Sequence, residues 1–224
     1  MENYKKNLHL LKENNVYSED MEHDACGVGI IASTEGKKSR KVVEYGIEAL
    51  KAVWHRGAVD ADGKTGDGAG IHVEIPKDFF IEKIEVTGHT HDNSEICVGM
   101  IFLPRNDYAA QESCKTIVES ELTKNDFSIY GWRQVPVNPK VLGEKAFQTM
   151  PEIIQVLFKP YNPELTNKDL ERKIYETRRK IENEAFKKSL NNFYICSLSS
   201  KSIIYKGMFL ACLLYTSPSP RDLA

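Results

Sequence analysis

Short apolar runs, each closed by a proline, a glycine or a polar cluster, limit the fold of this chain most strongly. Residues 70–76, 94–104 and 153–159 read GIHVEIP, SEICVGMIFLP and IIQVLFK. Runs of this length predict strands, and the run over 94–104 predicts a buried one. Helical patterns of unequal length lie between them, so we predict an α+β layered domain rather than a regular βαβ succession.

Helix and turn signals complete the predicted framework. Ser39 is expected to cap a helix that ends near residue 54, with Arg56 in its last turn, and Thr166 with Asp169 predicts a capping box. The remaining predicted elements are a buried strand from 26 to 33, a glycine-rich loop over 62–70, a helix over 107–124, a strand near 127–137, a short helix around 141–147, a helix from the capping box to about residue 190, and a hairpin of 193–200 with 202–207.

The composition excludes several classes of protein. Hydrophobic residues make up 41% of the chain and charged residues 28%, which is ordinary for a globular protein, and the formal net charge is −2. That charge offers no attraction to nucleic acid or to an anionic membrane surface. No apolar run approaches the roughly 18 residues of a membrane-spanning helix, and the N-terminus lacks the apolar core of a secretory signal. We therefore expect a cytoplasmic protein without nucleic-acid or membrane partners.

Motifs for metals and nucleotides are incomplete in this chain. The cysteines, at positions 26, 97, 114, 196 and 212, have no paired spacing and no histidine cluster, so we expect reduced thiols and no metal site. The run GVGIIA fits a dinucleotide fingerprint in letters, but it follows a polar arm and is itself strand-like. The sequence GKT lacks the earlier glycine of a phosphate-binding loop, because Ala58 stands at that position.

Cys26 is distinguished by its position between a polar arm and an apolar run. A cysteine at the start of such a run is more often a core residue than a nucleophile. If residues 1–25 were removed as a propeptide, however, the new α-amino group on Cys26, with a pKa of about 8, would act as the base beside the thiol. Gly27 would then let a substrate approach the backbone closely. The alternative is a non-catalytic binding or interaction module in which the arm stays attached.

Four segments carry a resemblance to a known family. They read HDACGVGIIAS, ALKAVWHRGA, DGKTGDGAGIHVEIP and FYICSLSSKSIIYKGM, and the similarity covers essentially residues 24–210. The chain resembles the class II glutamine amidotransferases of the N-terminal nucleophile hydrolase superfamily, and within them the amidotransferase domain of the glutamate synthases. TGDGAG with the later FYICSLSS and YKGM favours the glutamate synthases over the class II enzymes that act on phosphoribosyl pyrophosphate, which remain the nearest alternative.

The resemblance implies a fold and an activity. The fold is a four-layer αββα sandwich, and the activity is hydrolysis of glutamine to glutamate and ammonia through a γ-glutamyl thioester on Cys26. In a glutamate synthase the ammonia aminates 2-oxoglutarate in other domains of the same chain, in the service of nitrogen assimilation. FMN and an iron-sulfur cluster belong to those domains, so no cofactor is expected here, and a small electron-transfer subunit is a possible further partner.

The resemblance also assigns roles to individual residues. Arg56 would hold the α-carboxylate of glutamine, for which its planar fork is suited; the alternative is a cation that stabilises a helix C-terminus. Asp67 is a supporting candidate for substrate binding, although aspartate among glycines is commonly a turn residue. A Cys–His dyad of Cys26 with His55 or His72 is a weaker alternative, because the terminal amine already supplies a base.

The chain departs from the family pattern towards its C-terminus. It contains no motif of the form HNGEIN followed by RGN, which carries the oxyanion donors of the family. The run CLLYTSPSPRD resembles a translated sequencing adapter, so residues 26–211 are predicted to be a partial domain and 212–224 a non-native tail. We expect the 224-residue chain to be inactive and poorly soluble, because oxyanion donors and sheet partners are missing.

Overall fold

A computed structural model describes residues 2–14, 27–53, 59–92, 94–165 and 167–210. Statements about the fold apply to these residues. The helices are α1 (Glu2–Glu13), α2 (Arg40–Ala52), α3 (Lys77–Val86), α4 (Tyr108–Lys124), α5 (Glu144–Thr149) and α6 (Asn167–Lys187), with a single 3₁₀ turn at Pro139–Val141. The strands are β1 (Ala69–Glu74), β2 (Cys97–Leu103), β3 (Phe127–Gln134), β4 (Glu152–Pro160), β5 (Tyr194–Ser199) and β6 (Ser202–Gly207).

The strands form two antiparallel sheets. The larger has the order β3-β4-β2-β5, and the smaller pairs β1 with β6. At the centre of the larger sheet Gly99 lies opposite Val156, and a Cβ atom on Gly99 would lie 2.6 Å from both Val156 Cγ1 and Leu198 Cδ1. Neighbouring side chains on both sides therefore cover this glycine, and a larger residue would have to displace them.

Two hydrophobic cores cover the two faces of the larger sheet. Helices α4 and α6 pack on one face, around Phe127, Phe158 and Ile174, which are fully buried. The smaller sheet, α2 and α3 enclose the other face, around Val98, Phe80 and Ile203. The alternation along β2, with Cys97, Ile101 and Leu103 in the first core and Val98 and Met100 in the second, follows the two-residue period of a strand. The predicted α+β class, built as a sandwich, is confirmed.

Several predicted elements and caps are confirmed. The side chain of Ser39 accepts a hydrogen bond from Lys41 N (3.3 Å), and that of Asp107 accepts one from Ala110 N (2.9 Å), at the starts of α2 and α4. Strands β2 and β4 match the apolar runs that predict them. Thr166 of the predicted capping box lies outside the described residues. Helix α3 was not predicted, and it begins directly after Pro76, where the sequence analysis places only the end of a strand.

Helix α2 ends two residues earlier than predicted, at Ala52 with Val53 as its C-cap. Arg56, which is predicted to lie in its last turn, is outside the described residues. The β-branched Val53 and the aromatic Trp54 both have lower helix propensity than the residues before them, which favours an earlier end. Near the N-terminus, Glu2–Glu13 form α1, a segment without glycine or proline in which His9 Nδ1 lies 3.4 Å from Glu13 Oε1.

The predicted hairpin of β5 with β6 is wrong. The two strands lie in different sheets, and β6 pairs instead with β1, far earlier in the chain. A bulge in β5 turns both Cys196 and Ser197 towards β6, where Ser197 Oγ accepts a hydrogen bond from Ile204 N (3.2 Å) and Cys196 Sγ donates to Ile204 O (3.5 Å). The side chains of Cys196 and Ser197 therefore form the hydrogen bonds with the Ile204 backbone that a hairpin partner strand would otherwise form.

The predicted buried strand from 26 to 33 is wrong for its described residues. Residues 27–33 form no strand, and the side chains of Val28 and Ile30 are 93% and 91% exposed. Apolar alternation predicts a strand only where a partner edge is available, and no described strand pairs with this run. Among the described helices, none is long and apolar enough to cross a membrane.

Candidate active site

The structure describes two of the four candidate site residues. Gly27 and Asp67 are described and exposed, whereas Cys26 and Arg56 lie outside the described residues, as does His55. A Cβ atom on Gly27 would meet no atom within 4 Å, so the space beside its backbone is open. The grouping of the four residues around one substrate therefore remains a prediction.

Residues 59–66, directly before Asp67, fold into a closed loop. Val59 and Gly66 form an isolated antiparallel bridge, and Asp60 N donates to Thr65 O (2.9 Å). Gly63, at the tip, has φ +68°, a conformation that favours glycine. The bridge holds the two ends of the loop, residues 59–66, side by side. Asp67 follows one end directly, and Arg56 precedes the other by three positions in the sequence.

The carboxylate of Asp62 organises the inside of this loop. It accepts hydrogen bonds from Lys64 N (2.9 Å), Thr65 N (2.7 Å) and Thr65 Oγ1 (2.5 Å). The Thr65 hydroxyl, followed by these backbone amides, holds the pKa of Asp62 well below its usual value. Asp60 lies 2.6 Å from Lys145 Nζ on α5, and this contact lowers the pKa of Asp60. The loop is therefore fixed both internally and to α5.

The loop packs closely against neighbouring segments at two glycines, Gly143 and Gly66. A Cβ atom on Gly143, which precedes α5, would lie 2.2 Å from Thr65 Oγ1 and 2.3 Å from Asp62 Oδ2. On the other side, a Cβ atom on Gly66 would lie 3.1 Å from backbone atoms of Phe209 and Leu210. The sequence analysis missed Gly143, because nothing in the sequence connects a glycine before a short helix with a loop some eighty positions earlier.

His72 has no visible catalytic partner among the described residues. It lies on β1 opposite Ile204, and it is exposed, whereas its neighbours Ile71 and Val73 pack towards the core between the sheets. The alternative dyad with Cys26 stays untested, because Cys26 is not described.

The described cysteines are buried and poorly reactive. Cys97, Cys114 and Cys196 are between 0% and 4% exposed, and burial raises the pKa of all three thiols, that of Cys114 to about 11. They do not converge, and no group of three or more metal-binding side chains occurs among the described residues. These cysteines are therefore unsuited to the role of nucleophile or cluster ligand.

We predict that Cys97, Cys114 and Cys196 resist a thiol reagent in the folded protein. At pH 8 a thiol of pKa about 11 is ionised to about one part in a thousand, and burial further blocks access. Reaction with iodoacetamide, followed by peptide mass mapping, should leave all three unmodified without denaturant and modify all three in urea. Rapid modification of any of them in the native protein would contradict the buried placement.

Comparison with known proteins decides the family. The family model described as glutamine amidotransferases class-II matches residues 26–217. The chain belongs to this family. The match of the class-II amidotransferase model begins at Cys26 itself. It ends inside the segment predicted to be a non-native tail, and both the tail and the 1–25 propeptide remain predictions.

Individual relatives of this amidotransferase chain are glutamate synthases. The chain is 53% identical to the glutamate synthase [NADPH] large chain of Azospirillum brasilense and 37% identical to the chloroplastic ferredoxin-dependent glutamate synthase of Spinacia oleracea. The alignments cover 95% and 94% of this chain, and 14% of each relative. The ferredoxin-dependent glutamate synthase 2 of Synechocystis is 37% identical over 86% of the chain and 12% of the relative. The chain thus spans about one seventh of the length of the first two relatives.

Proposed function

We propose that this chain is the glutaminase domain of a glutamate synthase, with Cys26 as its N-terminal nucleophile after removal of residues 1–25. The observation that carries the proposal is the family match that begins at Cys26, together with relatives that are named as glutamate synthases. The buried state of Cys97, Cys114 and Cys196 supports it, because none of the described thiols is accessible for the reaction.

The chemistry follows from a thiol and an amine on the same residue. The α-amino group of Cys26 accepts the thiol proton, directly or through a water molecule, as the sulfur attacks the side-chain amide carbon of glutamine. The tetrahedral oxyanion collapses to a γ-glutamyl thioester, and the leaving nitrogen takes the proton and departs as ammonia. Water then attacks the thioester, which releases glutamate and restores the thiol.

Substrate binding is proposed for Arg56, with Gly27 and Asp67 in support. The guanidinium group would bind the α-carboxylate of glutamine in a bidentate manner. The bridge between Val59 and Gly66 supports a shared role for Arg56 and Asp67, because Asp67 directly follows one bridged residue and Arg56 precedes the other by three positions in the sequence. Exposure of Gly27 supports close approach of a substrate to the backbone.

The activity of a whole synthase requires parts that these residues do not provide. We propose that ammonia passes to other domains of the same chain, where it aminates 2-oxoglutarate, and that FMN and an iron-sulfur cluster serve that step. Among the described residues the cysteines are buried, and no group of three or more metal-binding side chains occurs, so these residues do not fit an iron-sulfur cluster. The relatives differ in the electron donor they are named for, NADPH or ferredoxin, so the donor and any electron-transfer subunit stay open.

A glutamine-mimicking electrophile tests the proposed nucleophile. We predict that 6-diazo-5-oxo-norleucine labels Cys26 of the full-length protein and that an excess of glutamine prevents this labelling. Peptide mass mapping identifies the modified residue. Labelling of Cys97, Cys114 or Cys196 instead, or labelling of Cys26 that glutamine does not slow, would contradict the proposal and favour a non-catalytic module.

A further inference from the structure

We infer that Gly143 is a positioning residue for glutamine: it forms the seat that fixes the loop 59–66 and, through that loop, the position of Asp67, which follows the loop directly. This inference rests on the proposed function of the chain. It adds a residue that lies far from Cys26, Arg56 and Asp67 in the sequence.

The seat is a place where side chains and backbone leave no space for a Cβ atom. Such an atom on Gly143 would lie 2.2 Å from Thr65 Oγ1, 2.3 Å from Asp62 Oδ2 and 2.5 Å from Thr65 N. The last of these is a backbone atom, which cannot rotate away. Any larger residue at position 143 must therefore displace the loop, α5 or both.

The backbone conformation of Gly143 gives no other reason for a glycine. Its φ is −71° and its ψ is 163°, which all residue types adopt readily. A change from glycine to alanine at this position therefore introduces no backbone strain and alters only the contact with the loop. The variant tests that contact alone.

The loop is rigid enough to transmit a displacement to its ends. Asp62 bonds to three groups inside it, and Lys145 holds Asp60 from α5. Thr65 and Gly66 are buried, and Gly66 packs against the 207–210 segment, so the loop is held between two fixed surfaces. A push from the α5 side is therefore expected to reach the bridge between Val59 and Gly66.

A displacement of the loop affects the substrate through this bridge. A displacement of about 1 Å in a substrate-positioning group can lower a reaction rate about 100-fold, even when the altered residue is far from the reacting atoms. Both Arg56 and Asp67 continue from the bridged pair. Misplaced seating should therefore weaken recognition of glutamine without altering the intrinsic reactivity of Cys26.

The test compares two electrophiles on the full-length protein. 6-Diazo-5-oxo-norleucine needs the substrate-binding groups, whereas iodoacetamide needs only an accessible thiolate. The variants are Gly143→Ala, Asp62→Ala, which releases the loop from inside without introducing a collision, and Gly46→Ala. The last is a matched control, because a Cβ atom there would meet only Ile71 Cδ1, at 3.5 Å, an ordinary contact.

We expect Gly143→Ala to slow labelling of Cys26 by 6-diazo-5-oxo-norleucine about 10- to 100-fold. Asp62→Ala should slow it in the same direction, and both variants should keep the iodoacetamide rate within about twofold of the parent, with a raised KM for glutamine. Gly46→Ala should change neither rate.

Several outcomes would overturn the inference. Equal slowing by both reagents would indicate general damage, and unchanged diazo-ketone labelling in Gly143→Ala and Asp62→Ala would show that the seat does not position the substrate. If the parent protein itself were not labelled at Cys26, the proposed function would fail first and the inference with it. A parent that is labelled while both variants behave like it overturns the inference alone.

Discussion

Replacing Cys26 by alanine should reduce glutamine hydrolysis by the full-length protein about 10⁴-fold or more. Loss of a nucleophile from a covalent mechanism removes the intermediate itself, and such losses lie between about 10⁴- and 10⁶-fold in well-studied hydrolases. Glutamine should still bind, because Arg56, Gly27 and Asp67 remain. Ammonia release measured at saturating glutamine separates this loss of turnover from a loss of binding.

Cys114→Ala is the matched control for this change. Cys114 lies on α4 in the core between the helices and the larger sheet, and it is fully buried. The same chemical substitution there should cost stability but retain nearly all glutaminase activity. Activity of the Cys26 variant above about one hundredth of the parent rate would show that another group attacks the substrate, and the proposed mechanism would be wrong.

Replacing Arg56 by lysine should raise the KM for glutamine about 10- to 100-fold and leave kcat nearly unchanged. The positive charge remains, but the two parallel hydrogen bonds to a carboxylate are lost, and a charge-assisted hydrogen bond contributes about 1.5–3 kcal/mol. An α-carboxylate lies away from the reacting amide, so its binding is the same in the ground and transition states. Steady-state kinetics with glutamine measure both constants.

The alternative role of Arg56, as a cation at a helix C-terminus, predicts a different result. Helix α2 ends at Ala52, and the macrodipole effect falls off within the last turn, so Arg56 follows too late in the sequence to benefit from it fully. Arg40→Lys is the control, because Arg40 carries a guanidinium at the start of α2, where its Nε contacts Glu44 at 3.3 Å. If Arg56→Lys and Arg40→Lys had the same small effect on KM, the carboxylate-binding role would be contradicted.

Much of the fold could be predicted because its signals are local. Strands β2 and β4 are buried on both faces, so they read as continuous apolar runs, and Ser39 and Asp107 start helices by bonds to amides two or three positions later. Helix α3 was missed because it begins only two residues after β1 ends. These elements required no knowledge of distant contacts.

The misplaced elements depend on partners that are distant in the sequence. The run 26–33 has the letters of a strand, yet its described part has no partner edge, and Val28 and Ile30 are exposed. Residues 193–207 have the spacing of a hairpin, but β1 offers β6 a longer-range pairing, and the side chains of Cys196 and Ser197 occupy its other edge. Local patterns do not encode such a choice.

The residues of the candidate site also differ in whether local sequence patterns could predict them. Cys26, Gly27, Arg56 and Asp67 were found from three short motifs and the resemblance they carry. Gly143 was not, because its importance lies in the absence of a side chain at a contact with Asp62 and Thr65. The loop 59–66 shows both cases. Its glycine-rich motif can be recognised in the sequence, whereas its contact with Gly143 can be recognised only in the structure.

The N-terminus of the full-length protein, isolated from its source, tests the central claim most directly. Chemical sequencing or intact mass determination should show a mature chain that begins at Cys26 with a free α-amino group, since the base of the proposed mechanism exists only there. A protein that retains Met1 or Asn3 at its N-terminus, and is active on glutamine, would contradict it.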